Sequence, residues 1–330
     1  MLPPFGLQAV VTQWRAAPVV STTVAVAAVL YIWGVVRVRR RHPARPWPAW
    51  RTVMFLLGLV VIVVALQSGI GTYDDVLFWD HMIQHLMLVM VAPPLLIVGR
   101  PVTLLLHASR NPVHHWSIKV LRSRVVSFLT WPVFGFAAYA GAIVIGHLTG
   151  IANLTLTNPV AHDAEHVVFL VAGYLFLLPI IGSEPIRWRL SYPVRLILLF
   201  LIMPVDTFTG LVLTYGNRGT PGVPLGPRPA WAGTAVGDLH AGGAAMWVGG
   251  DALMFVLMMF VFMMWSTDTR IGSRSFGWLE SVRRATVAPT AASAAVDIDD
   301  DDAHLAAYNA YLSRLNEAAH EQPESPARPG

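Results

Sequence analysis

Long apolar stretches alternate along this chain with short polar loops. Seven of these stretches are long enough to cross the hydrocarbon core of a bilayer, which takes about 20 helical residues. They lie at about 18–36, 52–70, 76–98, 125–146, 162–182, 194–215 and 243–265. The pattern predicts an all-α polytopic membrane protein, a seven-helix transmembrane bundle surrounded by the lipid bilayer.

The basic residues fall mainly in alternate loops. The loops at 37–51, 99–124 and 183–195, and the segment after the last apolar stretch, are rich in Arg, whereas the other loops share three Arg. Because basic loops stay on the cytoplasmic side, this asymmetry predicts a multi-pass protein of the cell (cytoplasmic) membrane. The N-terminus is predicted outside and the C-terminus inside, which the odd number of spans requires.

Composition narrows the chemistry. Hydrophobic residues make up 55% of the chain and charged residues only 13%, against about 25% charged residues in soluble domains. The net charge of +4 reflects Arg beside apolar stretches, so no nucleic-acid partner is indicated. The chain has no cysteine, so disulfides and thiolate chemistry are excluded. A metal site must therefore use His, carboxylate, Met or backbone oxygen.

The composition changes near residue 285. Residues 285–296 are mostly Ala, Thr, Pro and Val, and an acidic run follows at Asp297 and 299–302. We therefore divide the chain into a seven-span transmembrane domain at 1–284 and a cytoplasmic acidic tail at 285–330. The tail is expected to be largely disordered, with room for one short helix.

Two pairs of histidines open the third and fifth spans. His81 and His85, like His162 and His166, are four residues apart, so each pair places two imidazoles on one helix face. The predicted topology brings both pairs to the outer side of the membrane. Neutral imidazole is a common ligand of Zn, Cu, Ni and Fe. Two such pairs predict a four-ligand metal or haem pocket between the helices.

Further polar groups are predicted at the same end of the bundle. His147 and His240 fall at the outer ends of spans, and Asp238 and Asp251 lie in the segment that opens the last span. Buried carboxylates in a membrane need partners, so we expect both to join the cluster. The predicted metal-site residues are His81, His85, His162, His166, His147, His240, Asp238 and Asp251. Candidates for orienting an imidazole N–H are Asp74, Asp75, Asp80, Asp163 and Glu165.

The residues alone leave two alternatives to a metal or haem site. In the first, the polar side chains only hydrogen-bond between helices, an interaction that contributes about 1 kcal/mol each in membranes. The second is a zinc protease, because His162-x-x-Glu165-His166 fits the inverted zinc-protease motif. Against the protease, the corresponding position of the first pair is Gln84, which cannot act as a base.

Three blocks of sequence occur in order between residues 50 and 265. They are Trp79-Asp80-His81-Met-Ile-Gln-His85 continuing to Pro93-Pro94 and Gly99-Arg-Pro101, Asn158-Pro-Val-Ala-His162-Asp-Ala-Glu-His166 continuing to Pro179 and Gly182, and Asp238-Leu-His240-Ala-Gly-Gly-Ala-Ala-Met246-Trp247. Together they resemble the CtaG-type cytochrome c oxidase assembly factors. Three ordered blocks are far more specific than any one motif.

The resemblance implies a membrane protein that helps to mature a haem–copper terminal oxidase by supplying or inserting copper, without itself catalysing a reaction. His81, His85, His162 and His166 match the family's blocks. The expected cofactor is copper, held transiently, and the expected partners are cytochrome c oxidase subunits. The alternatives are a bis-His haem-binding membrane protein and a copper transporter, which would need a polar path past Asp206.

Overall fold

The computed structural model describes residues 2–41, 43, 46–221 and 228–287, with side chains described as far as 268. Within those ranges the regular elements are helices and no strand occurs, which confirms the all-α prediction. Residues 1–263 form one compact unit. The second unit begins at residue 264, and its described part is the end of the last helix.

Most of the helices follow one another with short connections, whereas 20 residues separate α13 from α14. In chain order they are α1 (Leu7–Thr12), α2 (Pro18–Arg41), α3 (Ala49–Gln67), α4 (Gly69–Tyr73), α5 (Phe78–Leu86), α6 (Ala92–Val98), α7 (Pro101–Ala108), α8 (Val113–Leu121), α9 (Arg124–Leu129), α10 (Pro132–Leu148), α11 (Gly150–Thr157), α12 (Pro159–Ile181), α13 (Tyr192–Thr214) and α14 (Ala235–Val287). A π-helical turn, Met87–Val91, joins α5 to α6.

Six helical stretches of the described chain are long and apolar enough to cross a membrane. They are Pro18–Arg41, Ala49–Tyr73, Phe78–Ala108, Pro159–Ile181, Tyr192–Thr214 and Ala235–Asp268. The bent pair α10 and α11, whose axes differ by 76°, makes a seventh if it counts as one span. The protein is therefore multi-pass, as predicted. The orientation of its termini and its location in the cell membrane remain predictions.

Two spans differ in detail from the sequence prediction. The fourth was expected from 125, but its main helix begins at Pro132, because Trp131 is extended (φ −68°, ψ 127°). Proline suits the first turn of a helix, where its missing N–H is not needed. In the third span the π-helical turn lies just before Pro93 and Pro94. These prolines lack the N–H groups that would continue the α-helical ladder.

The bundle packs through small residues at helix crossings. α12 lies against α10 on one side and against α6 and the π-helical turn on the other. Gly135 of α10 touches the backbone of α12, and Gly210 of α13 touches Trp247 of α14. In both cases an added Cβ would come within 2.7 Å of the neighbour. Glycine permits this approach, which is a common way for membrane helices to associate.

Two helix N-termini inside the third span are capped by carboxylates from distant segments. Asp238 accepts hydrogen bonds from the N–H groups of Phe78 (2.9 Å) and Trp79 (3.1 Å), at the start of α5. Glu184 accepts hydrogen bonds from the N–H groups of Val102 (3.1 Å) and Thr103 (2.9 Å), at the start of α7. Both carboxylates satisfy free N–H groups and face the positive end of a helix dipole.

The division into a transmembrane domain at 1–284 and an acidic tail at 285–330 stays a prediction. α14 runs without interruption to Val287, past the predicted boundary at 284. The acidic run and the expected short helix lie outside the described residues.

Candidate metal centre

The two histidine pairs come from two packed helices. α5 carries His81 and His85, and α12 carries His162 and His166. Spacing by four residues places each pair on one helix face, and in both helices that face points inward. All four side chains are buried, with at most 4% of any residue exposed. The structure thus brings together the two pairs that the sequence placed 81 residues apart.

The imidazoles contact one another directly. Nδ1 of His81 lies 3.3 Å from Nε2 of His162. His147 of α10 extends the cluster, because its Nε2 lies 3.2 Å from Nδ1 of His85. The other ring nitrogen of His147, Nδ1, donates to the carbonyl oxygen of Ile143 at 2.8 Å. The cluster therefore contains five histidines from three helices.

Glu165 is the carboxylate closest to the centre of the cluster. Its Oε2 lies 3.7 Å from Nε2 of His81 and 3.7 Å from Nε2 of His85. Within the described part of the chain, neither Glu165 Oε2 nor His85 Nε2 has a hydrogen-bond partner, although both are buried. The sequence prediction treated Glu165 only as an orienting group. Glu165 follows His162 by three residues and precedes His166 by one. This spacing indicates that Glu165 lies close to the helix face that carries the two histidines.

Asp74 and Asp75, between α4 and α5, border the cluster on its polar side. Asp75 Oδ1 lies 3.2 Å from Nδ1 of His162, and this hydrogen bond holds the pKa of Asp75 below its usual range. Burial raises the pKa of Asp74 to about 6, although the nearby His162 and Arg15 oppose that rise. Both carboxylates thus interact with His162, and their role in orienting its imidazole stays a prediction.

Gln84 contacts the cluster, although the sequence reasoning used it only as an argument against a protease. Its amide nitrogen donates to the carbonyl oxygen of Ala65 and to Oδ2 of Asp74, both at 2.9 Å. Its amide oxygen lies 2.8 Å from Nε2 of His166. Gln84 therefore links α3, the Asp74 loop and the second histidine pair.

Three groups of side chains in the cluster are close enough to share a metal ion. In each group, one ligand atom per residue lies within 4.8 Å of the others. The groups are His81 with His85 and His166, Asp74 with His162 and His166, and His81 with His162 and Glu165. Imidazole and carboxylate together are ligands of borderline and hard divalent ions, including Cu(II) and Zn(II).

The structure places three other predicted site residues in different surroundings. Nε2 of His240 donates to the carbonyl oxygen of Gly216 at 2.8 Å. Asp238 caps α5 and pairs with Arg228 at 2.7 Å. Asp251 accepts a hydrogen bond from Thr207 at 3.0 Å. In the part of the chain that the structure describes, none of the three belongs to a metal-capable group.

The remaining carboxylates from the sequence analysis also lie outside those groups. Asp80 is fully buried and Asp163 is exposed. Asp206 accepts a hydrogen bond from the hydroxyl of Tyr139 at 3.2 Å. Within the described ranges, these carboxylates therefore belong to the surroundings of the cluster or to other helix contacts, rather than to its candidate ligands.

A cleft of about 660 Å³ connects one edge of the cluster with the side of the bundle. It lies between the start of α2 and α12, and it is open along one side. Its apolar wall includes Val20, Leu88 and Val167, and its polar end includes His162 and His166. The two helices that flank the cleft, α2 and α12, are both candidate membrane spans.

The fold and this centre together define a class: multi-pass helical membrane proteins with a buried histidine–carboxylate cluster between their helices. Comparison with known proteins gives the family within that class. The chain belongs to the family of cytochrome c oxidase caa3 assembly factors (Caa3_CtaG), whose family model matches residues 29–268. This confirms the resemblance seen in the three sequence blocks.

Curated relatives match most of the chain but carry no functional name. The uncharacterized protein ML1998 of Mycobacterium leprae is 31% identical over 314 residues, covering 92% of this chain and 45% of that protein. The uncharacterized proteins Mb0105 of Mycobacterium bovis and MT0111 of Mycobacterium tuberculosis are each 31% identical over 320 residues, covering 93% of this chain and 45% of theirs. The chain therefore spans about half the length of these relatives. No solved structure matches it.

Proposed function

We propose that this protein assists the assembly of a haem–copper cytochrome c oxidase by binding copper in its histidine cluster and passing it to an oxidase subunit. The family supports the role in oxidase assembly, and a carrier of this kind needs no catalytic step of its own. The predicted topology places the cluster at the outer face of the cell membrane. Copper is the cargo rather than a permanent cofactor.

The observation that carries this proposal is the convergence of the two histidine pairs and Glu165 in one buried site. A membrane interior disfavours ionisable side chains unless they have a functional role or partners. Nε2 of His81 and Nε2 of His85 each lie 3.7 Å from Oε2 of Glu165, close to the separation of roughly 3.3–3.6 Å between two nitrogen or oxygen atoms that bind one ion. A set of unrelated helix–helix hydrogen bonds would not require five histidines in one place.

The lateral cleft supports transfer rather than permanent storage. A carrier must release its metal, so a site closed on all sides would be unsuitable. The cleft reaches His162 and His166 from the side of the bundle. Its volume is comparable with one turn of an α-helix, roughly 400–600 Å³ for a cylinder 10–12 Å wide and 5.4 Å long. One transmembrane helix of the client subunit could therefore approach the metal from within the bilayer.

The same contacts favour a small ion over a haem. A bis-His haem places its macrocycle between the two axial imidazoles. The ring nitrogens of His81 and His162, and those of His85 and His147, are at hydrogen-bond distance. A porphyrin between either pair would have to push the helices apart.

The test is a double variant of the full-length protein, His81→Ala with His166→Ala. The purified variant should lose its bound copper, and cells carrying it should show low oxidase activity and low copper content in the oxidase. The matched control is His107→Ala with His115→Ala, which removes two exposed histidines outside the cluster. Normal oxidase in cells carrying the cluster variant would overturn the proposal.

The haem alternative has its own readout in the same preparation. A Soret band that is present in the purified wild-type protein and absent from the cluster variant would show that the cluster binds haem rather than copper. A preparation that binds copper and shows no Soret band supports the proposal.

A further inference from the structure

We propose that copper binds to three specific ring nitrogens and one carboxylate, a metal-binding site that we call the seat. Its ligands are Nε2 of His81, Nε2 of His85, Nδ1 of His166 and the side chain of Glu165. His162, His147 and Gln84 are positioning residues that fix the tautomers of these three histidines. The seat is suited to a divalent ion. This inference rests on the proposed function and deepens it, since it assigns the ligands and the oxidation state of the cargo.

The tautomer of His85 is set by a hydrogen-bond chain that begins in α10. Nδ1 of His147 faces the carbonyl oxygen of Ile143, which only accepts, so Nδ1 carries the hydrogen. In the neutral imidazole that a metal site requires, Nε2 of His147 then holds a lone pair. It accepts from Nδ1 of His85 at 3.2 Å. Nε2 of His85 is left with its lone pair free, buried and directed toward Glu165 at 3.7 Å.

A second chain of the same form sets the tautomer of His81. Nδ1 of His162 donates to the Asp75 carboxylate at 3.2 Å, so Nε2 of neutral His162 holds the lone pair. That atom accepts from Nδ1 of His81 at 3.3 Å. Nε2 of His81 is therefore the metal-binding nitrogen, and it too lies 3.7 Å from Oε2 of Glu165.

The third chain runs through an amide whose orientation is fixed by its donors. The amide nitrogen of Gln84 donates to Ala65 and Asp74, so its oxygen must accept. The partner of that oxygen, Nε2 of His166, therefore carries a hydrogen. In neutral His166 the lone pair lies on Nδ1. His166 also belongs, with His81 and His85, to a group whose ligand atoms lie within 4.8 Å of one another.

The distances from Glu165 to His81 and His85 are close to those between two ligands of one ion. Two ligand atoms at 2.0–2.2 Å from a tetrahedral ion are roughly 3.3–3.6 Å apart. The 3.7 Å separations from Glu165 to His81 and His85 exceed that range by a few tenths of an ångström or less. The buried Oε2 of Glu165, without a hydrogen bond among the described residues, has the lone pair that the ion would take.

The ligand types indicate which ion the seat prefers. Cu(I) prefers soft sulfur ligands, whereas three imidazoles and a carboxylate suit Cu(II) or Zn(II). Glu165 also supplies a negative charge against a divalent cation, which reduces the cost of placing that cation in a medium of low dielectric constant. Without this carboxylate the seat would hold three neutral ligands and would lose most of its preference for divalent ions.

The experiment measures binding of Cu(II) alone and of Ag(I) alone, the latter as a soft monovalent probe, to the purified full-length protein. Glu165→Gln should weaken Cu(II) binding at least tenfold and change Ag(I) binding less than threefold. Glu165→Asp, which keeps the charge, should recover part of the Cu(II) affinity. Asp163→Asn, which changes an exposed carboxylate on the same helix, is the matched control and should bind both ions like the wild type.

A second arm separates ligands from positioning residues by counting the nitrogens coupled to Cu(II) in its electron paramagnetic resonance spectrum. His85→Phe should remove one coupled nitrogen. His147→Phe should weaken binding by 10–100-fold, a typical effect of losing a residue that orients a metal ligand, and leave the nitrogen count unchanged.

Each negative result has a distinct meaning. Wild-type protein that binds no Cu(II) would overturn the proposed function together with this seat. Wild-type protein that binds Cu(II), with Glu165→Gln behaving identically, would overturn the seat alone. Loss of a coupled nitrogen in His147→Phe would make His147 a ligand and overturn the positioning chain.

Discussion

Gly173 of α12 lies against the backbone carbonyl of Val89 in the π-helical turn. A Cβ added to Gly173 would come within 2.1 Å of that oxygen. Val89 lies four residues after His85, and Gly173 lies seven residues after His166. Both residues therefore lie on the helix faces that carry the histidines. The carbonyl of Val89 also lacks the usual helical donor, because Pro93 and Pro94 have no N–H. This close approach sets the separation of the two histidine pairs.

Replacing Gly173 by Ala should therefore disrupt the candidate metal centre without changing any of its proposed ligands. The new methyl group meets backbone rather than a flexible side chain, so α12 must move away from α5. We expect a loss of stability of about 1–3 kcal/mol, as for other overpacked sites, and at least tenfold weaker Cu(II) binding. Thermal unfolding in detergent and a Cu(II) titration measure the two effects.

Gly141→Ala is the matched control for Gly173→Ala. An added Cβ at Gly141, in α10, would meet only the end of the Ile145 side chain at 3.9 Å. Its stability should rise slightly, because Ala is the better helix former, and its Cu(II) affinity should not change. Equal Cu(II) affinity in the two variants would contradict this role of Gly173.

The cleft between α2 and α12 gives a prediction about transfer. Val167→Trp fills the cleft, whereas Val168→Trp adds the same bulk to a neighbouring position that does not line it. Both residues are similarly exposed, at 60% and 53%. Both variants should bind Cu(II) normally when purified, but only Val167→Trp should lower the copper content of the oxidase in cells. Equal oxidase maturation in both would show that the cleft is not the transfer route.

Asp238 should behave as a helix cap and not as a metal ligand. Asp238→Ala removes the acceptor for two N–H groups of α5 and the partner of Arg228. We expect a loss of about 1–2 kcal/mol of stability, a typical cost for a lost cap. Asp238→Asn keeps one acceptor oxygen and should lose less. Both variants should retain the wild-type number of bound copper ions, and a lower number in a folded variant would restore Asp238 as a ligand.

Glu184 makes stability depend on pH. Burial raises its pKa above the usual value of 4.5, although hydrogen bonds from Thr103 and Val102 and the charge of Arg100 oppose this. A carboxyl group whose pKa is raised by folding binds its proton more tightly in the folded protein. Its contribution is fully present below the unfolded pKa and is lost as the pH rises through the folded pKa.

Glu184→Gln remains uncharged at every pH and removes this dependence. The thermal unfolding midpoint of the wild type should therefore fall relative to that of Glu184→Gln as the pH rises from 4.5, the usual pKa of the group, through its raised pKa in the folded protein. Tryptophan fluorescence during heating in detergent measures the difference. Parallel pH profiles for the two proteins would show that Glu184 does not titrate in this range.

Local sequence patterns were sufficient to predict the all-α membrane class, the approximate positions of the spans and the two histidine pairs. Helices in a membrane must satisfy their backbone groups internally, so a run of apolar residues is a strong local signal. Spacing by four residues likewise fixes a shared helix face without knowledge of the neighbours. For these reasons the all-α fold and the inward-facing pairs His81–His85 and His162–His166 could be read directly.

The groups that complete the cluster depend on contacts between helices that are distant in the sequence. Asp238, His240 and Asp251 lie near the start of the last span in sequence, yet their partners are a helix N-terminus, a loop carbonyl and a threonine. Glu165 and Gln84, which were not predicted as ligands, contact the two histidine pairs together with His147, which was. Such contacts depend on helix rotation and separation, which the close approach of Gly173 to Val89 sets and which no local pattern encodes.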